Sequence, residues 1–136
     1  MKTLKIAFIA LIVVLVNATG FAQSSVSNLK KTTENPTEVN VYYFHFNARC
    51  ATCRAVESET QADVKKLFGN KVSFNAYNLD NEAGKAKGEE LGVSGQTLLI
   101  VKGDKKINLT QQGFMYARTN PAKFRQILID NIKPLL

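Results

Sequence analysis

Apolar positions between residues 39 and 135 follow three different rhythms, and each rhythm predicts an element. Residues 39–46 are an almost unbroken run of Val, Tyr and Phe, the pattern of a strand buried on both faces. Asn47-Ala48-Arg49 breaks that run, and a helical segment follows from Cys50 to about Phe68. In it Val56, Thr60, Val64 and Leu67 share one side, while Arg54, Glu57, Gln61 and Lys65 share another. Gly69-Asn70 closes the helix. Residues 72–79 read as a second strand, with Val72, Phe74 and Ala76 alternating with polar neighbours. Asp80 or Asn81 caps a short helix to about Leu91, which Gly84 and Gly88 weaken and Gly92 ends. Residues 97–101 form a compact apolar strand, and Lys102-Gly103-Asp104-Lys105 turns into another over 106–109. Residues 113–119 are expected as a loop exposing Met115 and Tyr116. Asn120 followed by Pro121 starts the last helix, with Phe124, Ile127, Leu128, Asn131 and Leu135 on one side.

The order strand, helix, strand, helix, strand, strand, helix places the chain in the α/β class. The first two strands are expected to be parallel and joined by a right-handed crossover, with the closing hairpin antiparallel to them. Helices then cover both faces of a four-stranded mixed sheet. There are no internal repeats.

The N-terminal quarter has a different character. Lys2 and Lys5 precede an apolar run at residues 6–16, and Gly20-Phe21-Ala22 puts small residues where a signal peptidase inspects them. Residues 1–22 therefore read as a signal peptide cleaved after Ala22. The run is short for a membrane span, the alternative being a retained anchor. No cysteine follows it to carry a lipid, so a lipoprotein anchor is not expected, and cleavage of the short run leaves no stable membrane span. Residues 23–37, rich in Ser, Thr, Asn and Lys, read as a flexible N-terminal segment in which Val26 and Leu29 are weak candidates for an edge strand. The folded domain is expected over 38–136, as a monomer.

Composition changes this picture little. The 45% hydrophobic content suits a folded domain. Eighteen basic against eleven acidic residues give +7, and loss of Lys2 and Lys5 with the leader lowers this to +5. Such an excess serves solubility, or an acidic or membrane partner. No tract interleaves basic and aromatic residues as a nucleic-acid-binding surface would.

The chain has two cysteines, Cys50 and Cys53. A disulfide between them closes so small a loop that it does little to restrain the unfolded chain, so chemistry explains the pair better than stability. Residues three apart on a helix share a face, with side-chain origins roughly 5–6 Å apart. Cys50 falls at the helix N-terminus, where unpaired N–H groups and the dipole favour an anion. It is the expected nucleophile, with a pKa in the range of roughly 3.5–7.5 found for such motifs. Cys53, one turn further in, is the expected resolving thiol. Packed, incidental cysteines are the bland alternative. A metal site is disfavoured, because with His45 the pair is still one ligand short of a tetrahedron. His45 itself, alternating with Phe44 and Phe46, reads as a hydrogen-bonded core residue.

The segment YYFHFNARCATCRAVE, the element order and GVSGQTLLIVKGD at 92–104 together resemble the thioredoxin superfamily over about residues 38–134. The resemblance implies a thioredoxin-like fold, with Cys50 as nucleophile, Cys53 as resolving thiol, and the Cys50–Cys53 disulfide in place of any cofactor or metal. It also implies substrate contacts from Arg49, Ala51, Thr52, Gln96 and Thr97. Three departures from the pattern involve five positions. Arg49 and Ala51-Thr52 replace the Trp and Gly-Pro of Trp-Cys-Gly-Pro-Cys. Phe44 stands where a buried acid assists the resolving thiol, leaving Glu57 as a candidate for proton transfer or as a solvated helix residue. Gln96 stands where the family has a cis-proline, and a trans bond is expected there because cis costs about 2.5–4 kcal/mol without proline.

Two functions follow. The first is an exported, periplasmic or secreted thiol–disulfide oxidoreductase acting on protein thiols and disulfides of other exported proteins, together with a redox partner. The second is a thioredoxin-like protein-binding module with no or vestigial redox activity; Met115 and Tyr116 read as an apolar docking patch for partner proteins or as ordinary loop packing.

Overall fold

The computed structural model describes residues 38–136. The expected signal peptide at 1–22, the segment 23–37 and the candidate edge residues Val26 and Leu29 lie outside the described residues.

The apolar run forms β1 (Val39–His45), and all seven of its residues are buried. Its central position explains this. β2 (Val72–Asn78) pairs with it in parallel on one side, from Val39 opposite Val72 to His45 opposite Asn78. β3 (Thr97–Lys102) pairs antiparallel on the other, and β4 (Lys105–Asn108) completes the order β2-β1-β3-β4. Helices cover both faces, as expected. Val39, Val41 and Tyr43 pack with residues of α1 (Ala51–Phe68), α3 (Thr110–Tyr116) and α4 (Pro121–Ile132). Tyr42 and Phe44 point the other way, into a smaller cluster with Leu79, Leu99 and Val101 that is covered by the α2 (Glu82–Leu91) side.

Edge position accounts for the uneven burial of β2. Val72 is buried and Phe74 partly so, but Ala76 is exposed, because among the described residues no strand lies beyond β2. On α1, Val56, Thr60 and Val64 are buried as the spacing predicts, whereas Leu67 is 39% exposed. Asp63 is buried instead, since it faces α4, where Arg125 Nε donates to its Oδ1 at 2.7 Å. Leu67 borders a shallow groove beside Ile129 and Leu136.

The helix ends follow their sequence signals. Asn81 caps α2 by accepting from Gly84 N–H at 2.7 Å, and Asn120 caps α4 by accepting from Lys123 N–H at 3.1 Å. Gly92 ends α2 in the left-handed region at φ +73°.

One element departs from expectation. Residues 110–116, partly assigned above to the loop at 113–119, are the helix α3. Gly113 lowers helix propensity and hides the helix in the sequence. In the fold it lets α3 lie close to α1: a Cβ there would stand 3.1 Å from Val56 Cγ1. Asn108 Oδ1 accepts from Thr110 N–H at 2.9 Å and Thr110 Oγ1 accepts from Leu98 N–H at 3.0 Å, so the helix start is tied to β3. Packing outweighs propensity in so short a helix.

Candidate active site

The chain leaves β1 through Phe46, turns over residues 47–49 and enters α1 at Ala51. That turn is pinned to the end of the neighbouring strand. Asn47 N–H donates to Asp80 Oδ2 at 2.6 Å, Asn78 Nδ2 donates to Asn47 Oδ1 at 2.7 Å, and Leu79 N–H donates to His45 O at 2.7 Å. The start of α1 is therefore presented at the C-terminal ends of two parallel strands.

Cys50 is the N-cap residue, with extended backbone, and its Sγ accepts the N–H of Cys53 at 3.2 Å. The two cysteines form a disulfide with their Cα atoms 5.1 Å apart. Their exposures differ sharply. Cys50 is open to solvent, while Cys53 is 4% exposed. In the dithiol the same cap geometry directs an N–H and the helix dipole at the Cys50 sulfur, which favours its thiolate. The exposed sulfur can meet an incoming disulfide; the buried one can meet only its neighbour.

Arg49 and Glu57 are joined in an ion pair, each side chain about one quarter exposed at 26% and 25%. Arg54 Nη1 donates to Arg49 O at 2.9 Å, fixing the backbone just before Cys50. Glu57 is thus neither fully solvated nor free, and Arg49 holds its carboxylate beside the helix start. Ala51 is exposed and Thr52 half-buried on the first turn of α1. The fold brings Gln96 to the same place from more than forty residues away: its Oε1 lies 3.6 Å from Cys53 Sγ. The Gln96 peptide is trans, as expected. Thr97 starts β3 opposite Phe44 and spends its hydroxyl locally, donating to Gly95 O at 3.0 Å.

His45 is a buried, hydrogen-bonded residue, as its place in the strand predicts, with Nδ1 3.1 Å from Phe46 O. Tyr116 is engaged by Lys123, whose Nζ donates to its hydroxyl at 3.0 Å, and Met115 is 49% exposed. Among the described residues no group of three or more His, Cys, Asp or Glu is placed to hold a metal ion, and no helix is long and apolar enough to cross a membrane.

Tyr43 is a site residue that sequence reading passed over. Its hydroxyl donates to Cys53 O at 2.9 Å from beneath the helix, anchoring the turn that carries both cysteines. The available signal was a phenol at a fully buried position of the strand, since a buried Tyr hydroxyl needs a partner. Burial pushes the Tyr43 phenol above its ordinary pKa of 10.0, and the Arg49 charge opposes this in part. The native state then holds this proton at pH values where the unfolded chain releases it. Tyr43 accordingly contributes stability that is complete below about pH 10 and is lost as pH rises through its raised native value. Urea unfolding between pH 8 and 11 should show stability falling more steeply in the parent than in Tyr43→Phe. Equal slopes would remove Tyr43 as the cause.

No protein-family model and no curated protein sequence matches the chain. Among solved structures it is similar to Trxlp from Edwardsiella tarda EIB202, with a TM-score of 0.50 and 17% identity over 68% of this chain and 82% of that one. Thioredoxin from Trypanosoma brucei brucei aligns with a TM-score of 0.44 and 21% identity, over 71% of this chain and 77% of that one. A thioredoxin-like protein from Clostridium perfringens aligns at 0.43 and 12% identity, over 64% and 77% of the two chains. The fold of residues 38–136 is thioredoxin-like.

Proposed function

We propose that this chain is a thiol–disulfide oxidoreductase acting on protein cysteines, with Cys50 as nucleophile and Cys53 as resolving thiol. The observation that carries the reading is the disulfide between an exposed N-cap cysteine and a buried cysteine one turn on. Starting from the dithiol, the Cys50 thiolate attacks one sulfur of a substrate disulfide. The substrate S–S bond breaks, its electron pair leaves on the second substrate sulfur, and that sulfur takes a proton from solvent. Cys53 then loses its proton to solvent and attacks Cys50 Sγ. The mixed disulfide breaks, the remaining substrate sulfur is released and protonated, and the Cys50–Cys53 disulfide stands formed. The substrate gains two electrons and the protein loses two. Run backwards, the same steps oxidise a substrate dithiol.

Burial of Cys53 supports the division of labour, because a large partner can reach Cys50 alone. The signal-peptide pattern of the sequence at residues 1–22 supports exported proteins as substrates, since disulfides persist outside the cytoplasm. Equilibrating the full chain in glutathione buffers and counting free thiols should show one reversible two-electron transition, together with exchange into a protein disulfide. Phe44 and the trans Gln96 favour a second reading, a binding module with vestigial redox activity. Cysteines that fail to cycle, or that cycle without exchanging with a protein disulfide, would leave that second reading standing.

A further inference from the structure

Resolution asks more of Cys53 than attack asks of Cys50. The Cys53 sulfur is buried, which disfavours its thiolate, yet that thiolate must form once the mixed disulfide exists. The ionisable side chains nearby are committed elsewhere. Tyr43 donates to Cys53 O rather than to the sulfur, Glu57 is paired with Arg49, and His45 Nδ1 lies against Phe46 O. Phe44 is fully buried and offers no polar atom. What the fold sets against the sulfur is a carboxamide, Gln96 Oε1 at 3.6 Å. Its side chain is half-buried, and the loop that carries it is held at Thr97, which pairs with Phe44 and donates to Gly95 O.

We propose that Gln96 is the hydrogen-bond partner of the resolving sulfur in both of its protonation states. In the disulfide Cys53 carries no proton, and the approach is a sulfur–oxygen contact. On reduction the same geometry lets Cys53 Sγ–H donate to Gln96 Oε1. When the thiol ionises, rotation of the carboxamide brings Nε2, whose N–H donates to the thiolate. An amide carries an acceptor and a donor on one rotor, which neither a carboxylate nor an alkyl group provides. Gln96 gains and loses no proton in the cycle; the Cys53 proton passes to solvent as in the steps above. The role rests on the oxidoreductase reading and adds to it a residue that tunes the second thiol.

This assignment has a thermodynamic consequence. The S–H donor exists only in the dithiol, so the hydrogen bond favours the dithiol over the disulfide. The test uses the full chain with Gln96→Leu and Gln96→Glu, each equilibrated with reduced and oxidised glutathione at pH 7. Gln96→Leu should shift the equilibrium toward the disulfide by roughly 3–10-fold, the worth of one modest hydrogen bond. Gln96→Glu should shift it the opposite way by a comparable factor, since a carboxylate accepts S–H more strongly. It should also slow resolution of a preformed mixed disulfide, because it repels the thiolate. A side chain that merely fills space would move the two variants together. If the parent cycles but both variants stay within about twofold of it, or shift in the same direction, the Gln96 assignment falls and the oxidoreductase reading survives. A parent that never cycles removes both.

Discussion

The full chain carrying Cys50→Ser should lose disulfide exchange down to background, while Cys53→Ser should accumulate its partners in mixed disulfides. The asymmetry comes from geometry. Cys50 is exposed, caps α1 and receives the Cys53 N–H, so it is the sulfur that a protein disulfide can approach and the one whose anion the helix start favours. A serine hydroxyl forms no disulfide, and removal of a covalent nucleophile is felt on a scale of more than about 10³-fold in rate. Cys53→Ser leaves that first step intact and removes the second. The mixed disulfide between Cys50 and the partner then persists until an outside thiol releases it. Non-reducing electrophoresis of each variant, after incubation with an oxidised protein substrate, distinguishes them directly. Trapping by Cys50→Ser equal to that by Cys53→Ser would remove the assigned division of roles, and stronger trapping by Cys50→Ser would reverse it. Alkylation of reduced Cys50 no faster at pH 6 than that of an ordinary thiol would remove its activation by the helix start.

The parts of this site that were legible in the sequence are those that local chemistry determines. An apolar run, a polar break and Cys-x-x-Cys place the two sulfurs together at a helix start, one on the N-cap residue and one on the first turn. The two-faced burial of β1 follows from its unbroken apolar character, and the parallel pairing of β1 with β2 from the alternation of strands and helices; the order β2-β1-β3-β4 came from the fold. What stayed hidden depends on contacts between distant segments. Tyr43 looks like one more aromatic residue until the fold places Cys53 O above its hydroxyl. Asn47 and Asp80 look like unrelated loop residues until adjacent parallel strands bring their ends together. Gln96 could be matched to a family position, yet its distance from the Cys53 sulfur is a property of the packed loop. Glu57 sits on the polar side of α1 as its spacing predicts, and the ion pair with Arg49 depends on how the preceding turn folds back.

Glycines in α2 were the most misleading signal, and they carry the largest expected effect on stability. Gly84→Ala should destabilise the domain by about 3 kcal/mol or more, although the same change in an exposed helix stabilises by up to about 1 kcal/mol. Read from sequence, Gly84 and Gly88 only weaken a short helix. In the fold both are buried: Gly84 defines how closely α2 approaches the end of β2, and Gly88 how closely it approaches Val93 and Leu79. A Cβ on Gly84 would lie 1.8 Å from Asn78 O and 2.4 Å from Asn78 C, both backbone atoms that no side-chain rotation can clear. A Cβ on Gly88 would lie 2.7 Å from Val93 O. Relief requires α2 to move off the strand, which opens the small core formed by Tyr42, Phe44, Leu79, Leu99 and Val101. It also disturbs Asn78, whose amide holds Asn47 and so the turn before Cys50. The gain in helix propensity is therefore outweighed. Urea unfolding of the full chain should show a lower midpoint for Gly84→Ala, with Gly69→Ala as the control. Gly69 has φ +54° and open space around it, so its alanine meets backbone strain but no overlap. A Gly84→Ala midpoint equal to or above the parent's would mean that α2 does not pack against the end of β2 as described.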